Sequence, residues 1–303
     1  MAATWIDLLD PSAEELRAKA PRELEDPALV LLLQAPKHED EPRPTLQGHG
    51  EYIFGVFLVA VAIPDEDCIY YQEIDVVITH DMLLTVRKTP PDGRPPFDFA
   101  ATREAVKESD SAGMLTYRVI DDISERYLDL VDDLDAEIDE LEDVVESQSA
   151  ELTRQRISAL RHDMLHIRRT LAPMRDAVRR VIVNACEVDS GPEVFPHDVE
   201  VAFNAVYDKL MRALDSLDFT RDLLSGVRDY HQAQISNSQN EVMKRLTVIA
   251  SLLLVPTFIV GLYGQNFVDI PELRWHWGYE WAWGLIIGTT AIQLWWFRRS
   301  RWF

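Results

Sequence analysis

Leu246 to Tyr263 reads LTVIASLLLVPTFIVGLY, a run with no charged residue, and it leads directly into Tyr263-Gly264-Gln265-Asn266-Phe267. A helix rises 1.5 Å per residue, so about 20 residues cross a hydrocarbon layer roughly 30 Å thick. A second apolar run, Trp281 to Phe297, follows after a short aromatic and acidic loop. Two such runs joined by a short loop imply a membrane hairpin. Lys244 and Arg245 precede the first run, Arg298, Arg299 and Arg301 follow the second, and the loop holds Arg274 alone. Cytoplasmic segments gather Lys and Arg, so both termini are expected in the cytoplasm. Trp275, Trp277, Tyr279, Trp281 and Trp283 form one interfacial belt, and Trp295, Trp296 and Trp302 the other.

The rest of the 303 residues must find a core in water. With 30 Lys and Arg against 52 Asp and Glu, the formal charge is −22, which opposes nucleic acid as a partner and favours cations. Cys68 and Cys186 stand far apart without CxxC spacing, so neither a disulfide framework nor a zinc ribbon is indicated, and a reducing cytoplasm fits. The stretch Met1 to Asp7 has neither the basic nor the apolar region of a signal peptide.

Residues 1–112 read as a domain of mixed α and β. Asp10-Pro11-Ser12 caps a helix from about Ala13, with Glu14 and Glu15 in its first turn and Pro21 ending it. Arg22 to Asp26 offers one more turn before Pro27. Ala28 to Leu33 is too short for periodicity to decide between helix and strand. Glu51–Ile63, Tyr70–Thr79 and Met82–Lys88 are rich in β-branched and aromatic residues and read as strands, the first two separated by Pro64-Asp65-Glu66-Asp67. Prolines in Thr89 to Pro96 end the sheet, because they withdraw ladder donors. A short helix is expected near Asp98 to Lys107.

Residues 113–240 are long helix. Leu128, Val131, Leu134, Ile138, Leu141 and Val145 repeat at steps of three and four, as do Ile157, Leu160, Met164, Ile167, Leu171, Met174, Val178 and Val181. Two antiparallel helices in a coiled-coil hairpin around Gln148 to Glu151 follow, with a kink expected at Pro173. From Asp198 only Gly226 interrupts the helical pattern before Pro256, which predicts one rod of roughly 60 to 70 residues, about 100 Å long, entering the membrane region at 241–303. Thirteen acids lie between Asp121 and Glu146 against Arg126 alone, while the partner helix is rich in arginine. Charge complementarity within the hairpin accounts for part of this, and the surplus suits divalent cations.

Counting back from the motif at helical spacing gives Gly261, Thr257, Leu254, Ala250, Leu246 or Thr247, Met243, Asn240, Ser236, Ala233 and Asp229. This stripe is small or polar at both ends and apolar in the middle. A lipid-facing stripe calls for large apolar residues throughout and a packing seam for small ones, whereas the mixed order suits a pore lining. One hairpin cannot enclose a lumen, so such a lining requires several copies.

Asn240-Glu241-Val242-Met243-Lys244, Pro256-Thr257-Phe258-Ile259, Tyr263-Gly264-Gln265-Asn266-Phe267 and Ile270-Pro271-Glu272-Leu273-Arg274-Trp275 resemble the CorA family of magnesium channels, and Trp5-Ile6-Asp7-Leu8 resembles its N-terminal signature. The resemblance covers the whole chain. It implies a funnel-shaped homopentamer in the plasma membrane. Each chain would pair an α+β cytoplasmic domain and long stalk helices with a two-helix transmembrane hairpin, its outer loop at about 264–280. By the same resemblance Tyr263, Gly264, Gln265 and Asn266 form the selectivity filter, and Asp229, Asn240, Met243, Leu246, Leu254, Thr257 and Gly261 line the pathway. Asp269, Glu272 and Glu280 in the loop gather cations. Magnesium is then both cargo and regulator, sensed through Asp65, Asp67 and Asp208.

Two departures accompany the resemblance. The usual Gly-Met-Asn is Gly-Gln-Asn here, and the zinc-transporting branch also varies at that middle position, which keeps a zinc–proton symporter beside the magnesium channel. A membrane-anchored scaffold that conducts nothing is a further alternative. At the stalk position of the family's regulatory acid stands Ala205, with Asp208 about one turn later. Enzymatic chemistry finds little support. His162 and His166 lie four apart without the intervening Glu of a metalloprotease, Gly48 and Gly50 lack the Lys-Ser/Thr of a phosphate loop, and no nucleophile–base pair stands out.

Overall fold

The computed structural model describes residues 3–22, 24–35, 42–63, 68–90, 93–189, 191–266, 270–300 and 302. The chain divides into two compact units, Met1–Arg228 and Asp229–Phe303.

In the first unit, β1 (Thr4–Leu9), β2 (Thr45–Gly48), β3 (Ile53–Ile63), β4 (Cys68–Ile78) and β5 (Met82–Arg87) form one sheet in the order β1-β5-β4-β3-β2. Only the β1–β5 pairing is parallel. Alternation along the strands gives the sheet two apolar faces. Ile53, Phe57, Val59, Ile74, Val76 and Leu83 point to one face. Phe54, Val77, Leu84 and Val86 point to the other, where α1 (Ala13–Lys19) and α2 (Asp26–Leu33) supply Leu16, Ala28 and Leu32. Ser12 caps α1, accepting from the Glu15 amide at 3.1 Å.

The first face is covered by α4 (Ala112–Val144) and α5 (Ala150–Ile182), with the short α3 (Ala100–Glu104) leading in, and the early turns of α6 (His197–Tyr263) add Val199, Phe203, Val206 and Leu210 to the same core. The positions noted above at three- and four-residue steps are buried except Leu128, which is half-buried, and on α4 the core also takes in Leu115, Val119, Ile123, Tyr127 and Leu130, which were not marked. Tyr127 is fully buried and its hydroxyl donates to the Leu58 carbonyl at 3.0 Å, tying α4 to the sheet. Gly113 is there because of contact: a Cβ at that position would meet the Val194 carbonyl oxygen at 2.2 Å.

Several expectations change. Ala28–Leu33 is helical, because Pro27 sits in the first turn of α2, where its missing donor costs nothing. α1 ends at Lys19, the Leu24 amide donates to the Pro21 carbonyl at 3.2 Å in a separate turn, and α2 begins at Asp26. β1 and β2 are strands that the sequence reading did not mark. The expected rod stands: α6 runs through Pro256 as a single helix of 67 residues, and α5 runs through Pro173 as one helix of 33.

The second unit holds the last part of α6, a 3-10 turn at Pro271–Arg274 and α7 (Gly278–Arg299). Among the described residues, α6 alone is both long enough and apolar enough to cross a membrane by composition. α7 has the length, with 22 residues, but carries several Trp and Thr.

Candidate functional site

Within the second unit, one face of α6 is covered. Val248 and Ile259 are buried and Ser251, Leu252 and Val255 half-buried, while Ala282, Leu285, Ile286, Thr289, Thr290, Gln293 and Phe297 are half-buried along α7. Gln293 Nε2 donates to the Ser251 carbonyl at 3.3 Å, so these are the faces that meet. Interhelical bonds of this kind hold apolar helices together where no hydrophobic force distinguishes partner from lipid. Gln293 was passed over in the sequence; a lone amide inside an apolar run was the signal for it.

The stripe from Asn240 to Gly261 lies elsewhere. At 100° per residue its mean direction falls roughly 130° from the face that meets α7. Asn240, Met243, Leu246, Ala250, Leu254, Thr257 and Gly261 are all exposed, Leu254 at 70%. Asp229 and Asn240 bound it on the N-terminal side, both exposed. The Thr257 hydroxyl donates to the Leu253 carbonyl at 2.7 Å, and Thr247 donates to Met243 in the same way at 2.8 Å. Each hydroxyl proton is thereby committed to the helix, and the oxygen presents acceptor lone pairs outward. Pro256 has no amide proton, so the Leu252 carbonyl loses its helical partner one residue from that Leu253 carbonyl.

At its C-terminal end α6 stops at Tyr263. A helix leaves its last four carbonyls without intrahelical partners and carries partial negative charge there. Gly264 N donates to the Val260 carbonyl at 2.8 Å and Gln265 N to the Leu262 carbonyl at 3.4 Å, which tightens the end. A Cβ on Gly264 would sit 3.0 Å from the Val260 oxygen, so a larger residue fits only with a shift. Tyr263 is half-buried, and Gly264, Gln265 and Asn266 are exposed. The four residues expected to form a filter therefore follow one another at the negative end of the helix that carries the stripe.

Beyond them, the loop is pinned. Trp275 N donates to the Glu272 carbonyl and Gly278 N to the Trp275 carbonyl, each at 3.2 Å. A Cβ on Gly278 would lie 2.1 Å from the Glu272 oxygen, so glycine is required there. Glu272 is half-buried and Glu280 exposed, whereas Asp269 lies outside the described residues. Asp65 and Asp67 also lie outside them. Asp208 is exposed on α6, as is Ala205. Beside Asp208, the Lys209 ammonium bridges Asp121 at 2.7 Å and Glu125 at 2.5 Å. Burial would lower the Lys209 pKa, but bonding to these two carboxylates more than offsets it and the pKa rises.

The acid surplus on α4 gathers no site in one chain: among the described residues, no group of three or more His, Cys, Asp and Glu converges to hold a metal. Across the α4–α5 hairpin, Arg156 pairs with Glu137 at 3.4 Å and Glu140 at 3.6 Å. The His162 and His166 rings sit 4.7 Å apart, with His166 stacked on Tyr71 at 6.0 Å. Burial, with His162 and Arg169 nearby, lowers the His166 pKa.

The architecture is that of a membrane-transport chain with an α+β body and one long helix. The solved CorA magnesium transporter from Methanocaldococcus jannaschii superposes with a TM-score of 0.81 over 100% of this chain and 92% of its own, at 21% identity. The sequence model of the family described as "CorA-like Mg2+ transporter protein" matches residues 2–299, and the chain belongs to that family. The cobalt/magnesium transport protein CorA of Thermotoga maritima is 28% identical over 86% of this chain and 73% of its own. A zinc transport protein, ZntB of Photorhabdus laumondii, is 24% identical over 63% of this chain and 57% of its own.

Proposed function

We propose that this chain forms a homopentameric channel that carries hydrated divalent cations, magnesium foremost, passively into the cytoplasm across the plasma membrane. α6 and α7 serve as the two spans, and both termini lie in the cytoplasm. The observation that carries this reading is the stripe itself. It is polar, then apolar, then polar, it points away from α7, and it ends at Gly264, Gln265 and Asn266 on the negative end of α6.

Five such stripes around an axis line a narrow path. Leu246, Met243 and Leu254 form apolar rings that gate by excluding water, and Thr257 and Asn240 offer oxygens to the ion's hydration shell. Magnesium holds its octahedral water shell tightly, so neutral carbonyl and amide oxygens at Gly264 and Asn266 admit it without stripping that shell. Glu272 and Glu280, joined by Asp269, raise the local cation concentration at the entrance. Asp229 receives the ion at the exit. Cytoplasmic magnesium closes the pore by bridging Asp208 on α6 to Asp65 or Asp67 of a neighbouring copy.

A second reading, zinc–proton symport, is favoured by the likeness to a zinc transport protein and by the polar Gln265 in the motif. Vesicles loaded with a magnesium-sensitive dye separate the two. Voltage-driven magnesium uptake blocked by hexaamminecobalt supports the channel; zinc uptake driven by a pH gradient supports the symporter; no uptake of either leaves a membrane-anchored scaffold. Asn266→Ala is expected to abolish magnesium flux while the oligomer remains assembled, and full flux in that variant removes the filter assignment.

A further inference from the structure

Between α5 and α6, inside the Met1–Arg228 unit, lies a cleft of about 160 Å3 that brings together Arg161, Arg168, Arg221 and Arg228. Its floor is apolar, with Ile157, Met164, Leu217 and Leu224 buried beneath the guanidinium groups. The one carboxylate in the lining, Asp218, is ion-paired with Arg168. That pair sets the register. The lining runs from residue 157 to 168 on one helix and 217 to 228 on the other, so with Arg168 against Asp218 the helices run antiparallel. Arg161, seven residues or about 10 Å before Arg168, then comes level with Ser225, between Arg221 and Arg228.

The bland account is a solvated basic face of two amphipathic helices. The charge balance argues against it. This chain has 52 acids to 30 Lys and Arg, yet the cleft lining collects four arginines and one carboxylate. Neither Arg161 nor Arg221 has an ion pair or hydrogen bond among the described residues. Like charges held this closely repel, and an anion in the cleft relieves them. Guanidinium forks match phosphate oxygens two at a time, more specifically than an ammonium does.

We propose that this cleft binds a linear polyphosphate of two or three phosphate groups, either free or as the tail of a nucleoside diphosphate or triphosphate. Arg161, Arg221 and Arg228 take the phosphate oxygens, and the Ser225 hydroxyl, 3.5 Å from Arg228 Nη2, stands among them. Arg168, held by Asp218, closes the far end. Leu165 on the rim is 44% exposed and gives a base an apolar surface to lie on. The cleft shares no residue with the α6 stripe, and the proposal holds whether or not the cargo is magnesium. Because polyphosphates carry magnesium in solution, an occupied cleft couples the transporter to the pool its cargo enters.

The test is calorimetric titration of the full chain in detergent, in buffer free of divalent metal, with tripolyphosphate, ATP, AMP and sulfate. Tripolyphosphate and ATP are expected to bind saturably, with AMP and sulfate at least about tenfold weaker, or ~1.4 kcal/mol. Equal affinity for tripolyphosphate and ATP identifies the free chain as the ligand, and tighter ATP the nucleotide. Arg161→Ala with Arg221→Ala is expected to weaken tripolyphosphate at least tenfold at unchanged oligomer size. Arg161→Lys with Arg221→Lys, which keeps the charge and loses the forks, falls between. Sulfate binding as tightly as tripolyphosphate, an unaltered affinity in both double variants, or no saturable binding by the unmodified chain overturns the proposal. So does dissociation of the oligomer in the alanine variant, which would assign the cleft to acidic side chains of a second copy.

Discussion

Phe57 and Phe258 are the same residue type in opposite circumstances: the first is fully buried between sheet and helices, the second 69% exposed on α6. The contrast extends to their units. In Met1–Arg228 the apolar faces of helices and sheet close on one another, as expected of a body that folds in water. In Asp229–Phe303 the apolar residues Leu253, Leu254, Phe258, Val260 and Ile287 each remain more than 60% exposed. One region satisfies its hydrophobic residues internally, and the other leaves them exposed within its own chain, as the proposed lipid and subunit contacts require.

Substitutions that should act on one region and not the other sharpen this contrast. The largest effect is expected from Phe57→Ala, at about 3–5 kcal/mol of stability by denaturant unfolding of the full chain, because it opens a cavity in a closed core. Next comes a pH effect confined to the first unit. Asp75 is almost wholly buried, with Lys88 Nζ 2.7 Å away and Glu73 on the same lysine. Burial first, and Glu73 besides, push its carboxyl up to about 7 against the pull of Lys88. A folded-state pKa above the unfolded value of 3.8 means the native state holds that proton more tightly. The contribution is therefore complete below about pH 4 and is lost as pH rises toward 7. Melting temperature should fall between about pH 4 and 7 from this group, and Asp75→Asn should flatten that part of the profile; an unaltered slope assigns it elsewhere.

A smaller effect is expected from Gln293→Leu, which removes the bond to Ser251 and should cost about 0.6 kcal/mol, up to roughly 1.7, by thermal unfolding in detergent. Smallest is Phe258→Ala, expected within about 0.5 kcal/mol, since the ring makes few contacts within its own chain. If Phe258→Ala destabilised the chain as much as Phe57→Ala, the two regions would not differ as described.

Much of this was legible from residue spacing. Steps of three and four marked α4, α5 and α6, and β-branched runs marked β3, β4 and β5, because each of these elements is long enough for its period to show. β1 escaped because its inward residues are not all apolar. Trp5 Nε1 donates to Thr85 Oγ1 at 3.0 Å, and the buried Asp7 pairs with Arg87 at 2.6 Å, partners about eighty residues away that no local pattern reveals. β2 has four residues, and its Gly48 suggests a turn, although Leu46 is fully buried. In the second unit the stripe follows from helical arithmetic alone. What spacing does not supply is the direction of α7, which Gln293 fixes by one hydrogen bond. The proposed regulatory pairing of Asp208 with Asp65 or Asp67 would join separate copies, and a single chain's sequence has no period that encodes such a contact.

The central claim is that the α6 stripe faces a shared axis. Imaging the detergent-solubilised full chain at side-chain detail tests it most directly. Five copies are expected, with Leu254, Thr257 and Asn266 of each turned toward a central lumen and Phe258 turned away. A monomer, or an oligomer in which Asn266 faces hydrocarbon, would contradict it.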